Sequence, residues 1–126
     1  MREICVIDDD EDVREVVAFA LETEGYMVHQ FENGQKALDH LLTLQRSDYP
    51  GLIIVDHLMP TMDGLTFISK IKSEHRDSFG LIPVALSSAN DFRQAYPGLP
   101  PEIIKLNKPM NLDDLIKLAS EHCRIG

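Results

Sequence analysis

The sequence predicts an α/β fold in which a doubly wound, five-stranded parallel sheet carries helices on both faces. Three observations lead there. Short apolar runs alternate with stretches of helical periodicity, the pattern that right-handed βαβ crossovers require. The run Leu52-Ile53-Ile54-Val55 has no polar interruption, which suits a strand buried on both faces of a parallel sheet. Finally, several apolar runs lead into side chains that carry chemistry: Asp8-Asp9, Asp56, Ser88 and Lys108. Open α/β sheets gather their sites at that edge, where the carboxyl ends of the strands lie together.

Each element has its own warrant. Glu3-Ile4-Cys5-Val6-Ile7 reads as a buried strand that ends in Asp8-Asp9-Asp10-Glu11-Asp12. Val13, Val16, Val17, Ala20 and Leu21 then recur at helical spacing as a stripe for the core, and Gly25 stops that helix. Residues 26–31 form a second, more mixed strand, suited to an edge. Asn33-Gly34 turns the chain, and Ala37, Leu38, Leu41 and Leu42 mark the next helix. Asp48-Tyr49-Pro50-Gly51 is a loop before the central strand. After Gly64 a third helix turns Phe67, Ile68 and Ile71 inward and Lys70, Lys72 and Glu74 outward. Residues 81–86 make strand four, with Pro83 near its start, where a missing donor is tolerable. Residues 103–106 make a short fifth strand, and Leu112, Leu115, Ile116 and Ala119 mark the last helix.

The 126 residues suit one domain, and the formal net charge is −9. Such a balance argues against the chain gripping nucleic acid or anionic lipid by itself, since both need clustered positive charge. Cys5 and Cys123 lack ligand-like spacing and read as reduced thiols of a reducing compartment. The N-terminus enters a strand directly, without a signal peptide, and no apolar run approaches the ~20 residues of a membrane span. The expectation is a cytoplasmic protein.

The strand ends define a candidate site. Asp8, Asp9 and Asp56 close together cannot all stay ionised cheaply without a cation. Oxygen ligands without a His or Cys set favour Mg²⁺ over zinc. Lys108 and the Ser88 hydroxyl add a cation and a donor suited to phosphoryl oxygens. A carboxylate beside the metal can itself be the nucleophile, giving an acyl phosphate.

These residues resemble a response-regulator receiver domain of two-component signalling. The resemblance rests on Val6-Ile7-Asp8-Asp9-Asp10, on Asp56-His57-Leu58-Met59-Pro60 with Asp63-Gly64, on Pro83-Val84-Ala85-Leu86-Ser87-Ser88-Ala89, and on Lys108-Pro109. It covers essentially all 126 residues as a single receiver domain. It implies the flavodoxin-like strand order 2-1-3-4-5. It implies Asp56 as phosphoacceptor, with Asp9, Asp56 and the Leu58 carbonyl binding Mg²⁺ and Asp8 holding a metal-bound water. Ser88 takes the place of the family's switch hydroxyl and Lys108 that of its lysine, with a cis peptide before Pro109. Asp10, Glu11 and Asp12 read instead as helix N-terminal charges favoured by the dipole, and His57, pointing to the other face of the strand, as a residue behind the site or exposed.

The implied activity is signalling rather than enzymatic, since the domain assists only its own phosphorylation and dephosphorylation. The phosphoryl donor would be a sensor histidine kinase or a histidine phosphotransfer protein, and the reader a downstream protein or effector domain. Two other readings stand beside it. One is a pseudo-receiver that binds partners without phosphorylation, against which the complete set of Asp9, Asp56, Ser88 and Lys108 argues. The other is a Mg²⁺-dependent aspartyl phosphatase, but such enzymes carry an acid two residues after the nucleophile, where this chain has Leu58. The chain departs from the family twice. Lys105 stands three residues before Lys108, where Tyr or Phe is usual. Pro97-Gly98 and Pro100-Pro101 interrupt residues 90–102, which predicts a shortened or irregular fourth helix capped by Asp91 and ending near Tyr96. Partners are then expected to read that loop.

Overall fold

A computed structural model describes residues 3–57, 59, 61–89, 99–108 and 110–123. Five strands are present: β1 (Glu3–Ile7), β2 (Met27–Phe31), β3 (Leu52–Asp56), β4 (Val84–Ser88) and β5 (Ile104–Asn107). The described helices are α1 (Glu11–Thr23), α2 (Gly34–Leu41), α3 (Gly64–Glu74) and α4 (Leu112–His122). All strand pairs are parallel and the order is β2-β1-β3-β4-β5. The chain runs outward from β1 to β2 and then returns past β1 to β3. A crevice therefore opens between the ends of β1 and β3, the switch point where such sheets hold ligands.

Alternation along the strands divides the core in two. Cys5, Ile7, Ile53, Val55, Val84 and Leu86 face α2 and α3, whose Leu38, Leu41, Phe67, Ile68 and Ile71 cover them. Ile4, Val6, Ile54 and Ala85 face α1 and α4 through Val17, Leu21, Leu115 and Ala119. Every residue of β3 is buried, as expected of a central strand with helices on both faces. β2 lies at an edge and is only partly buried. Each helix begins at a side-chain cap. Asp10, Asn33, Asp63 and Asn111 accept hydrogen bonds from backbone amides of the first turns, satisfying donors that a helix start leaves free.

Several expectations need correction. Val16, Leu42 and Leu112 do not enter the core, being 55%, 55% and 38% exposed. Ala18 and Leu118 are buried in α1 and α4 instead. The apolar stripes of the sequence are about one residue wider than the faces that the sheet covers. Strand four starts at Val84 rather than at 81, because residues Phe79–Leu81 form a 3₁₀ turn that leaves Leu81 outside. Pro83 still joins the ladder through its carbonyl, which accepts from Ile53 N–H at 2.9 Å. Lys72 does not simply point outward, for its ammonium donates to the Gly80 carbonyl at 2.7 Å. Both cysteines are free and buried. Burial pushes the Cys5 thiol up to about 12 and the Cys123 thiol up to about 11, so neither is a ready thiolate. The expected short helix from Asp91 to Tyr96, Leu58, and the Lys108–Pro109 peptide lie outside the described residues.

Candidate functional site

The site is built by four strand ends and held by backbone. Asp8 follows β1, its amide donating to the Phe31 carbonyl of β2 at 3.0 Å. Its Oδ1 accepts from the Asp10 amide at 2.9 Å. Asp56 is the last residue of β3, paired in register with Ser87 of β4. The loop beyond it contains Thr61 at φ 70°, a left-handed backbone that is strained for a β-branched residue. The loop then closes when Gly64 N–H donates to the His57 carbonyl at 2.9 Å. Glycine is needed there: a Cβ would lie 2.4 Å from the Asp56 carbonyl oxygen and 2.9 Å from Leu86 Cδ1. The close approach seats the start of α3 directly on the end of β3.

Carboxylate oxygens of Asp8, Asp9 and Asp56 lie within 4.8 Å of one another. Asp8 and Asp56 are buried, with 4% and 5% exposure, while Asp9 is exposed. Lys108 follows β5, and its amide donates to the Ser88 carbonyl at 2.9 Å. Its ammonium lies 2.6 Å from Asp56 Oδ1 and 3.9 Å from Asp8 Oδ2. Burial, opposed by the Asp10 amide, pushes the Asp8 carboxyl above its usual value, and the charges of Asp56 and Asp9 add to that push. Burial also works against the Lys108 ammonium. The hydrogen bond to Asp56 and the charges of Asp56, Asp8 and Asp9 outweigh it and leave the lysine raised. One cation among three carboxylates leaves a surplus of negative charge. Oxygen donors in excess of the available protein cations fit a hard divalent ion such as Mg²⁺.

The expected residues are thus largely brought together: Asp8, Asp9, Asp56 and Lys108 converge, and Ser88 ends the neighbouring strand with 2% exposure. Asp10 caps α1, as its reading as a helix-start charge requires. His57 is half-buried. The hydrogen bond from the Thr66 amide is the main cause that holds the neighbouring Asp63 carboxyl below its usual value. Two features escape a reading of the sequence. Arg14 reaches back from α1 to donate to the Asp8 carbonyl at 2.7 Å. Ser87 Oγ is buried without a hydrogen-bond partner among the described residues. An arginine six residues beyond an acidic strand end is the available signal for the first.

Similarity to known proteins agrees with this geometry. A family model described as a response regulator receiver domain matches residues 4–120. The receiver protein CpdR of Brucella abortus is 32% identical over 121 residues, covering 92% of each chain. An uncharacterised protein of Leptolyngbya boryana is 31% identical and covers 96% of this chain and 89% of its own. The transcriptional regulator NtrC of Escherichia coli is 32% identical over 92% of this chain, which spans 24% of that longer protein. Among solved structures, the receiver domain of Francisella response regulator 1452 superposes with a TM-score of 0.81 at 23% identity, covering 94% and 93% of the two chains. The NtrX receiver domain of Brucella abortus gives 0.72 at 25% identity, covering 98% and 99%.

Proposed function

Because the chain belongs to the response regulator receiver domain family, we propose that it is a phosphoacceptor signalling module whose Asp56 takes a phosphoryl group from a phosphohistidine. The donor is a sensor histidine kinase or a histidine phosphotransfer protein, and the phosphorylated form changes its affinity for a downstream protein or effector domain. One observation carries the reading. The buried Asp56 carboxylate stands 2.6 Å from the Lys108 ammonium, inside a cluster of three carboxylates at the switch point of the sheet.

Each residue then has a task. An Asp56 carboxylate oxygen attacks phosphorus in line, the O–P bond forming as the P–N bond to the donor histidine breaks. Lys108 lies beside that oxygen and neutralises charge that develops on the phosphoryl group. Ser88, at the end of β4, offers a hydroxyl to a phosphoryl oxygen. Asp8, Asp9 and Asp56 would hold Mg²⁺, with the Leu58 carbonyl as the further ligand that the family resemblance implies. When bound, the ion supplies positive charge to phosphoryl oxygens and relieves carboxylate repulsion. The domain assists its own phosphorylation and dephosphorylation and turns over no separate substrate. Two free thiols fit a cytoplasmic setting. No helix among the described residues is long and apolar enough to cross a membrane.

The test is to incubate the protein with labelled acetyl phosphate and Mg²⁺. The reading requires incorporation that chelation stops and that hydroxylamine removes, as it does from an acyl phosphate. Label that survives hydroxylamine would place the phosphate on a hydroxyl or another group and refute the assignment.

A further inference from the structure

The guanidinium of Arg14 is the one charged side chain from outside the strand ends that is hydrogen-bonded to the backbone of the site among the described residues. It lies in the first turns of α1, where its own amide donates to the Asp10 carbonyl at 3.0 Å. The side chain passes back over that turn, and Nη1 donates to the Asp8 carbonyl at 2.7 Å. Its Nε is buried and finds no hydrogen-bond partner among the described residues. An unsatisfied buried N–H is costly, and the charge of Arg14 is also felt by the Glu32 carboxyl.

What it does secure is the Asp8–Asp9 peptide. The Asp8 amide is fixed by β2 and the Asp8 carboxylate by the Asp10 amide. The carbonyl is the third point, and its direction sets how the chain turns toward Asp9. Without a restraint there, mutual repulsion among Asp8, Asp9 and Asp56 would favour a rotation that carries the exposed Asp9 away. A charge-assisted bond from a planar guanidinium is a strong restraint of this kind.

We propose that Arg14 is a positioning residue for the cation site: it holds the Asp8 carbonyl so that Asp8 and Asp9 stay aimed at a bound Mg²⁺, and thereby sets Mg²⁺ affinity without touching the ion. This rests on the Mg²⁺-dependent phosphoacceptor reading above. The role has a counterintuitive sign. Removing a positive charge beside a cation site should, by Coulomb's law alone, tighten cation binding. A positioning role requires the opposite.

Mg²⁺ binding is measured by titration calorimetry on the full chain and on Arg14→Met and Arg14→Lys, with melting temperature in chelator as the control for folding. Arg14→Met is expected to bind Mg²⁺ about tenfold more weakly, the size usual for groups that orient metal ligands, with its melting temperature in chelator little changed. Arg14→Lys keeps a cationic donor and should recover at least half of the loss on a logarithmic scale. Should Arg14→Met fail to fold, Arg14→Gln takes its place under the same criterion. A neutral variant that binds Mg²⁺ as tightly as the unmodified chain, or more tightly, overturns the proposal. So does a Lys variant as weak as the neutral one, which would put the effect on packing. Absence of Mg²⁺ binding by the unmodified chain is a different result, and it would remove the underlying reading of the site.

Discussion

At the scale of single residues, the site is a problem of charge, and Lys108 is the cation set closest to its buried carboxylates. Its ammonium shares Asp56 Oδ1 at 2.6 Å and approaches Asp8 at 3.9 Å. Lys108→Ala leaves a buried carboxylate without its cation. It should cost about 1–3 kcal/mol, less than a fully buried pair because the lysine keeps 30% exposure. In Lys108→Ala with Asp56→Asn the two losses should not add, since the second change removes the stranded charge. Additive losses in a denaturant double-mutant cycle would show that the pair contributes little. Asp63 offers a pH-dependent test of a different kind. Its Oδ1 accepts from the Thr66 amide at 2.8 Å, and its carboxyl lies below the usual value chiefly for that reason. A depressed carboxyl stabilises the fold above the unfolded carboxylate pKa, and that contribution is lost as pH falls through the folded value. Asp63→Ala should therefore lose about 1 kcal/mol near neutrality and a smaller amount in acid. Asp63→Asn keeps the cap and should flatten that part of the pH profile. An equal loss for Asp63→Ala at both pH values would contradict this origin.

At the scale of elements, the join between β3 and α3 determines where Asp56 stands. A methyl at position 64 would meet the Asp56 carbonyl oxygen at 2.4 Å, a backbone atom that cannot swing aside. Gly64→Ala should destabilise by about 1–3 kcal/mol, as overpacking does, and should also reduce phosphorylation by displacing Asp56. Unfolding curves and phosphodonor assays on one preparation check both. A variant of unchanged stability would mean that the loop accommodates the methyl. The helices show where sequence reasoning reaches its limit. Periodicity locates α1 and α4 but not their buried edge. Val16 and Leu112 fit the apolar spacing as well as Leu21 and Leu115 do, yet they remain exposed. Spacing records which residues share a face, whereas burial depends on which neighbour covers it. Strand four begins later than its composition suggests for a related reason. Leu81-Ile82 has the apolar character of a strand, but Leu81 belongs to the 3₁₀ turn and the strand begins only at Val84.

At the scale of the whole molecule, the parallel sheet and the grouping of the candidate site residues are legible in the sequence through the strands and their ends, whereas the strand order is legible only through the family resemblance. An uninterrupted run such as Leu52–Asp56 can be buried on both faces only in the middle of a covered parallel sheet, and β3 lies there. A parallel sheet then brings Asp8, Asp9, Asp56, Ser88 and Lys108 to one edge whatever the loops do. Contacts made by side chains reaching back across a turn, as Arg14 does, leave no periodic trace and are not legible. The surplus acidity at that edge predicts a linked stability effect. An ion that binds only the folded chain stabilises it by RT ln(1 + [L]/Kd), about 1.4 kcal/mol at ten times Kd. Mg²⁺ at that level should raise the melting temperature by roughly 3–6 °C, and Asp9→Ala should abolish most of the rise. An equal rise in Asp9→Ala would place the ion elsewhere. The central claim, that Asp56 accepts the phosphoryl group, is tested most directly by intact mass after treatment with acetyl phosphate and Mg²⁺. The unmodified chain should gain one phosphoryl group and Asp56→Asn none; equal gain by the two proteins would contradict the account.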